Sequence, residues 1–223
     1  MNIIIWLLTI FYAGAMVFML IKIIRRKRSL KMLRILMIEL DPERYIERVT
    51  AVIDQGKLDW RTIIILENSM ATAYSQMGDH EKAIRIHKRM LADPKFRYRG
   101  IVMGQLAQIY LAMKDLPNAR KHWEEYKATF SRKDEKKLAR HVQSTEAHFD
   151  LLEGNYKKSL DSHLELLSFV RGRGEEVQLR FRLAEIYEKL GKTKEQKEEL
   201  EHVVDRGNTL HIVELARQQL LEL

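Results

Sequence analysis

The chain has 223 residues, of which 46% are hydrophobic and 31% charged, with 10 glycines, 3 prolines and no cysteine. These values fit a globular protein with a sizeable core, and the lack of cysteine excludes a disulfide framework, a thiolate metal site and a cysteine nucleophile. The net charge is +8, but residues 1–34 hold seven basic residues and no acid, which leaves +1 for the rest. Nucleic-acid binding needs a basic face on the folded body, so it is disfavoured.

The first element in the sequence is an uncharged apolar stretch over residues 3–21. About 20 residues at roughly 1.5 Å each cover a hydrocarbon core about 30 Å thick, so the stretch predicts a single transmembrane helix. A cleaved signal peptide is disfavoured because no basic residue precedes the stretch and it continues beyond the cleavage-like Ala13-Gly14-Ala15. A buried core helix is disfavoured because such long uncharged runs are rare in small soluble domains.

Four basic residues follow this stretch and set its expected orientation. They are Arg25, Arg26, Lys27 and Arg28. By the positive-inside rule, the N-terminus faces out and the rest of the chain is cytoplasmic. The same four side chains are expected to contact anionic lipid headgroups. The sequence therefore predicts a single-pass membrane protein with a cytoplasmic C-terminal domain.

The remaining sequence is helical in pattern, with short loops and almost no strand signal. Residues 30–40 have helical apolar spacing and are expected either to prolong the membrane helix or to pack on the next one. Asp41-Pro42-Glu43 predicts a helix start with an aspartate cap, a first-turn proline and an acidic first turn. That helix is expected to stop at Gly56. The later loops predict antiparallel pairs of helices of roughly 14–20 residues.

Four times along these helices, an alanine is followed three positions later by a tyrosine or, in one copy, by an aspartate. The copies are Ala71 with Tyr74, Ala107 with Tyr110, Ala147 with Asp150, and Ala184 with Tyr187. Their spacing is 36, 40 and 37 residues, a period typical of stacked helix pairs. Alanine allows two helices to cross closely, because a larger side chain would overpack the crossing. The tyrosines are expected to fill the space between one pair and the next.

These residues resemble the tetratricopeptide repeat (TPR) family. The first copy matches at Ala71, Tyr74, Gly78, Ala83 and His87, and the second at Ala107, Tyr110, Ala119 and Trp123; the third departs at Asp150 and the fourth at Gln196. The resemblance implies an all-α fold, with an α-solenoid of TPR-like antiparallel helix pairs after the single transmembrane helix. The expected divisions are an anchor at 1–28, an atypical helix pair at 29–58, about four repeats at 59–206 and a capping helix at 207–223.

The resemblance also implies a concave groove, lined by the first helix of each pair, that captures a protein or peptide partner. The residues that match the family's groove positions are Asn68, Thr72, Ser75, Gln76, Gln108, His141, Ser144, His148, Gln178, Phe181, Glu185 and Glu188. Most of them are polar, and Phe181 is the apolar member. Such a mixture suits a peptide held through its backbone and a few side chains.

The sequence carries no catalytic motif of the phosphate-loop, nucleophile-elbow or zinc-protease type. His141 and His148 are seven positions apart with Glu146 between them, but no third ligand has helical spacing, so no metal or cofactor is predicted. We predict a membrane-tethered, non-enzymatic interaction scaffold or assembly factor. Two alternatives stay open: a peptide-responsive regulator, and a lipid or nucleic-acid binder that uses the basic stretch at 95–140.

Overall fold

The computed structural model describes residues 31–56, 58–94 and 96–223. The predicted membrane-spanning stretch and the four basic residues after it lie outside these ranges. Among the helices that are described, none combines the length and the apolar character needed to cross a bilayer. Every regular element in the described ranges is a helix, which confirms the all-α prediction for that part of the chain.

A short π-helical segment precedes ten α-helices in the described part. The elements are the π segment Ile35–Glu39, α1 Pro42–Asp54, α2 Trp60–Gln76, α3 His80–Ala92, α4 Arg99–Ala112, α5 Leu116–Lys127, α6 Arg132–Leu152, α7 Tyr156–Phe169, α8 Arg173–Lys189, α9 Thr193–Arg206 and α10 His211–Leu221. Helices α2 to α9 form four consecutive pairs, α2/α3, α4/α5, α6/α7 and α8/α9, and α10 packs on α9. We number these pairs 1 to 4.

The two helices of each pair are joined by a three-residue turn, and this turn has the same conformation in all four pairs. The middle residue has a positive φ in all four turns: Gly78 (82°), Lys114 (60°), Gly154 (88°) and Gly191 (68°). A left-handed residue at this place ends the first helix, and glycine adopts it without steric cost. In pair 1 the next residue, Asp79, starts the second helix by accepting a hydrogen bond from the Lys82 amide at 3.1 Å.

The small residues predicted at the helix crossings are buried in every pair. They are Ala71, Ala107, Ala147 and Ala184 on the first helices, faced by Ala83, Ala119, Ser159 and Gln196 on the second. Four residues further along the second helices, His87, Trp123, His163 and Leu200 are also buried. Small side chains therefore allow the helices to approach, and one large side chain per pair fills the space beyond. The burial of these residues agrees with the predicted register of the repeats.

Asp150, which departs from the family pattern, contacts the second helix of its pair as the tyrosines do, but through a different interaction. In pair 1, the Tyr74 ring lies 4.6 Å below the ammonium group of Lys82, eight residues later. In pair 3, the equivalent Asp150 forms an ion pair of 3.0 Å with Lys158, also eight residues later. An ion pair thus replaces a cation–π contact between the two helices.

The register predicts opposite outcomes for two neighbouring substitutions. Ala107→Leu is expected to lower the free energy of unfolding by about 1–3 kcal/mol, because Ala107 is fully buried at the crossing. Gln108→Leu is expected to cost about 1 kcal/mol or less. The Gln108 amide donates to the Thr145 hydroxyl at 2.6 Å, but that hydroxyl still donates to the His141 carbonyl at 2.8 Å in the variant. Urea unfolding of the full chain in mild detergent measures both; a larger loss for Gln108→Leu contradicts the register.

The N-terminal segment packs on the last helix pair as well as on its neighbour α1. Leu40 is completely buried and packs in one cluster with Val177 and Phe181 of α8. The Glu39 carbonyl accepts a 2.6 Å hydrogen bond from the Asn208 side chain. We call this packing, together with a hydrogen bond from Thr209 to the Leu40 carbonyl, the closing contact. Of the two expectations for this segment, the structure shows packing on the next helix, and the segment also joins the two ends of the array.

Candidate partner-binding surface

The first helices of the four pairs are linked side by side through polar side chains. Gln105 of α4 lies 3.5 Å from the Thr72 hydroxyl of α2, and Gln108 bonds Thr145 of α6. Lys114, in the turn of pair 2, reaches Glu185 of pair 4 at 3.5 Å. A contact that skips one pair is possible only on the inside of a curve. We therefore call this side of α2, α4, α6 and α8 the concave face.

The predicted groove residues differ widely in exposure. Half-buried are Asn68, Thr72, Ser75, Gln76, Gln108 and Ser144; exposed are His141, Gln178 and Glu188; buried are His148, Phe181 and Glu185. The structure brings four of them around one cavity: Gln108, Ser144, His148 and Gln178. The members from pair 1 do not line this cavity. The predicted set therefore covers one cavity in pairs 2 to 4 and a separate polar area on α2.

The cavity on the concave face is small and polar. Its volume is about 80 Å³, and its lining is Gln108, Ser144, His148, His163, Glu175, Gln178, Leu179 and Arg182. Sites for drug-sized ligands are about 300 Å³ or more. The cavity therefore suits a few water molecules or a single side chain of a partner rather than a cofactor.

Charge in and beside the cavity is concentrated on Arg182 and Glu185. Arg182 donates to the Glu185 carboxylate at 2.6 Å, and Lys114 pairs with the same carboxylate. Two cations thus share one buried acid, and Glu175 in the cavity lining supplies a second negative charge. Burial, and then the nearby charge of Arg182, hold the pKa of His148 well below its usual value, so its ring is neutral at neutral pH. In the described part, the Nε2 atom of His148 has no hydrogen-bond partner.

Two predicted residues occupy places that the sequence did not indicate. Phe181 packs against Leu40 in the core cluster of the last pair and does not line open surface. The His141 ring meets the rings of Trp123 and Tyr126 edge-on, each at 5.7 Å between centroids. His141 therefore lies against the second helix of pair 2, away from the cavity.

Two exposed isoleucines in the repeat register of His141 and Gln178 were absent from the predicted set. Ile65 is 62% exposed and Ile101 is 53% exposed, and each lies six residues before the crossing alanine of its pair, Ala71 or Ala107. His141 and Gln178 hold the equivalent positions in pairs 3 and 4, and both were predicted. Equal spacing from the alanines is the signal that identifies the isoleucines. If this register places them as it places Gln178, the concave face has an apolar end in pairs 1 and 2 and a polar cavity in pairs 2 to 4.

Glu146, which the sequence placed between two histidines, holds α5 against α6. Its carboxylate accepts hydrogen bonds from the Trp123 indole, from Arg120 at 3.0 Å and from Lys127 at 3.2 Å. Burial raises the pKa of Glu146, but these bonds outweigh it and the pKa is lowered. Among the described residues, no group of three or more His, Asp or Glu could hold a metal ion. Arg120 and Lys127, which belong to the basic stretch at 95–140, thus pair with Glu146 inside the fold.

The curved array of helix pairs defines a helical-repeat protein. Residues 68–95 and 177–206 each match a family model described as tetratricopeptide repeat. The chain therefore carries tetratricopeptide repeats in these two ranges. The two matched ranges fall in pairs 1 and 4. No curated protein and no solved structure matches the chain.

Proposed function

We propose that this chain is a membrane-tethered TPR scaffold that captures a segment of a protein partner on its concave face. TPR proteins typically bind protein partners. The observation that carries the proposal is the pair of exposed isoleucines, Ile65 and Ile101, which share the repeat register of Gln178 in the polar cavity. Large apolar side chains left uncovered on a face with convergent polar groups are typical of interaction sites.

The arrangement favours a partner segment that is apolar at one end and polar at the other. Apolar side chains of the partner would cover the two isoleucines, as in groove recognition of an amphipathic segment. A polar group further along would enter the cavity, where His148 has an unpaired ring nitrogen and Arg182 has guanidinium N–H groups beyond the one that Glu185 uses. The order of these two features along the face gives the bound segment a direction.

Site-specific photo-crosslinking in intact membranes tests the concave face. A photoreactive residue at Ile65 or Ile101 is expected to give an adduct of the same mass. The matched control is Leu164, which is exposed on α7, a second helix, and should give no such adduct. The change Ile101→Asp should abolish the adduct formed from position 65. An adduct from position 164 that equals the other two, or an Ile101→Asp chain that crosslinks as before, contradicts the proposal.

The tether rests on the sequence of residues 3–21 and has its own test. The full chain is expected to stay with membranes after a high-salt and carbonate wash, because apolar transfer rather than charge would hold it. Release into the supernatant contradicts the tether. Protease added outside intact cells is expected to leave residues 31–223 uncut, and their digestion contradicts the cytoplasmic orientation.

The two alternative functions are less well supported by the described residues. A peptide-responsive regulator needs an output domain, whereas residues 60–221 are occupied by the four pairs and α10. A polyanion binder would need free cations at 95–140, where Arg120 and Lys127 are paired with Glu146. A salt titration separates the polyanion binder, because phosphate-driven binding weakens steeply with salt. In line with TPR scaffolds in general, we propose no catalytic role.

A further inference from the structure

Residues 33–38 have one face covered by protein and the other left open. Ile35 and Leu36 are buried against α1 and α2. Leu33, Met37 and Ile38 point away from that cluster; Met37 is 50% exposed and Ile38 is 55% exposed. Three uncovered apolar side chains on less than two helical turns form a compact apolar surface.

Basic residues occur in the same segment and in the backbone segments that approach it. Lys31 and Arg34 belong to the same segment, and the backbone of Met37 approaches Gly174, one residue after Arg173. Arg173 in turn donates to the Arg206 carbonyl at 2.7 Å. This chain of contacts brings the loop before α8 and the end of α9 beside the apolar surface.

Most of these cations have no acid to pair with. Among the residues that the structure describes, no acidic partner is found for Lys31, Arg171 or Arg206, whereas Arg34 shares Glu39 with Arg44. Asp205, next to Arg206 in the sequence, offsets one charge. Lys31, Arg171 and Arg206 against Asp205 leave an excess of two positive charges among these four residues.

We propose that this surface, formed by Leu33, Met37, Ile38, Lys31, Arg171 and Arg206, lies on a lipid bilayer with anionic headgroups; we call it the juxtamembrane patch. Apolar side chains rimmed by Lys and Arg are the composition of surfaces that rest in the membrane interface. The uncharged stretch at 3–21 and the basic residues at 25–28 precede the patch directly in the sequence. The inference rests on the tether proposed above and adds the part of the folded body that touches the lipid.

The closing contact makes this docking rigid. Lys31 to Glu39 spans only about 14 Å at a helical rise, and the chain then enters the core of the last pair at Leu40. Hydrogen bonds from Asn208 and Thr209 hold the carbonyls of Glu39 and Leu40. The repeats are therefore joined to the lipid-facing segment without a flexible linker, and the concave face is held at a fixed angle to the membrane.

Depth-dependent fluorescence quenching tests the patch. Because the chain has no cysteine, the substitution Ile38→Cys gives a single site for an environment-sensitive dye on the full chain. The matched control is Glu47→Cys, which is exposed and close in sequence but lies on α1. Each labelled chain is reconstituted into vesicles of phosphatidylcholine with phosphatidylglycerol, or of phosphatidylcholine alone, that contain a lipid bearing a nitroxide in its acyl chain.

We expect quenching at position 38 to exceed that at position 47 by about twofold or more in the anionic vesicles. The double change Arg171→Glu and Arg206→Glu should reduce it. Equal quenching at both positions overturns the patch, even when the chain resists carbonate extraction and the tether stands. Release by carbonate instead shows that the tether has failed. Quenching that is the same with and without phosphatidylglycerol overturns the role of the basic rim. Disulfide-linked dimers of the unlabelled Ile38→Cys chain, with no quenching of the labelled chain, make a second copy the occupant.

Discussion

Lowering the pH from about 7 to about 5 is expected to reduce the free energy of unfolding by about 2 kcal/mol through His87 alone. This histidine is buried, and neither ring nitrogen has a hydrogen-bond partner in the described part. Burial lowers the pKa of His87 from 6.5 to about 4. The unfolded chain takes up a proton below about pH 6.5 and the folded chain only near pH 4, so stability is constant above this range and falls across it.

Three other histidines are expected to add to this loss. Burial is the first cause that lowers the pKa of His80, His148 and His163. Urea unfolding of the full chain and of His87→Phe at the two pH values measures the effect. The variant should lose about 2 kcal/mol less than the parent on acidification, because the phenyl ring has no proton to gain. Equal pH dependence of the two chains would show that His87 is not the sensitive group.

Leu40→Ala is expected to lower the free energy of unfolding by about 2–5 kcal/mol, since it removes a fully buried side chain from the last pair. The residue has a left-handed φ of 54°, a strain that leucine and alanine share, so the difference reports burial alone. Ile38→Ala, two residues earlier on the exposed side, should change stability by about 0.5 kcal/mol or less. Urea unfolding followed by circular dichroism compares them. Equal losses would mean that the closing contact does not form.

The repeats could be predicted from the sequence because their signals are local and recur. Each crossing alanine and the turn after it lie within one helix pair, so Ala71, Ala107, Ala147 and Ala184 could be aligned with one another. The closing contact could not be predicted. Glu39 and Asn208 are 169 positions apart, and a hydrogen bond from a side chain to a backbone carbonyl leaves no pattern in the residues on either side.

The candidate site could be predicted only in part, for two physical reasons. Phe181 holds a position that faces the groove in the family pattern, but here Leu40 of the N-terminal segment packs against it. The position of a residue in a repeat predicts which way its side chain points. It does not show whether a segment distant in sequence covers that side chain. Ile65 and Ile101 were missed for the opposite reason: the selection favoured polar side chains, although the isoleucines have the same register as His141 and Gln178.

The closing contact also has a consequence for folding during synthesis on the ribosome. Repeat arrays usually grow by adding each new repeat to its finished neighbour. Here the N-terminal segment, which is made first, completes its core with elements that are made last. The 169 residues from Glu39 to Asn208 take about 8–34 s to synthesise at about 5–20 residues per second. Until α8 is made, Leu40 lacks its partners in the last pair and is open to chaperones or to wrong contacts. A nascent chain halted before α8 should therefore be cut by protease near Leu40, and one extended past α10 should resist.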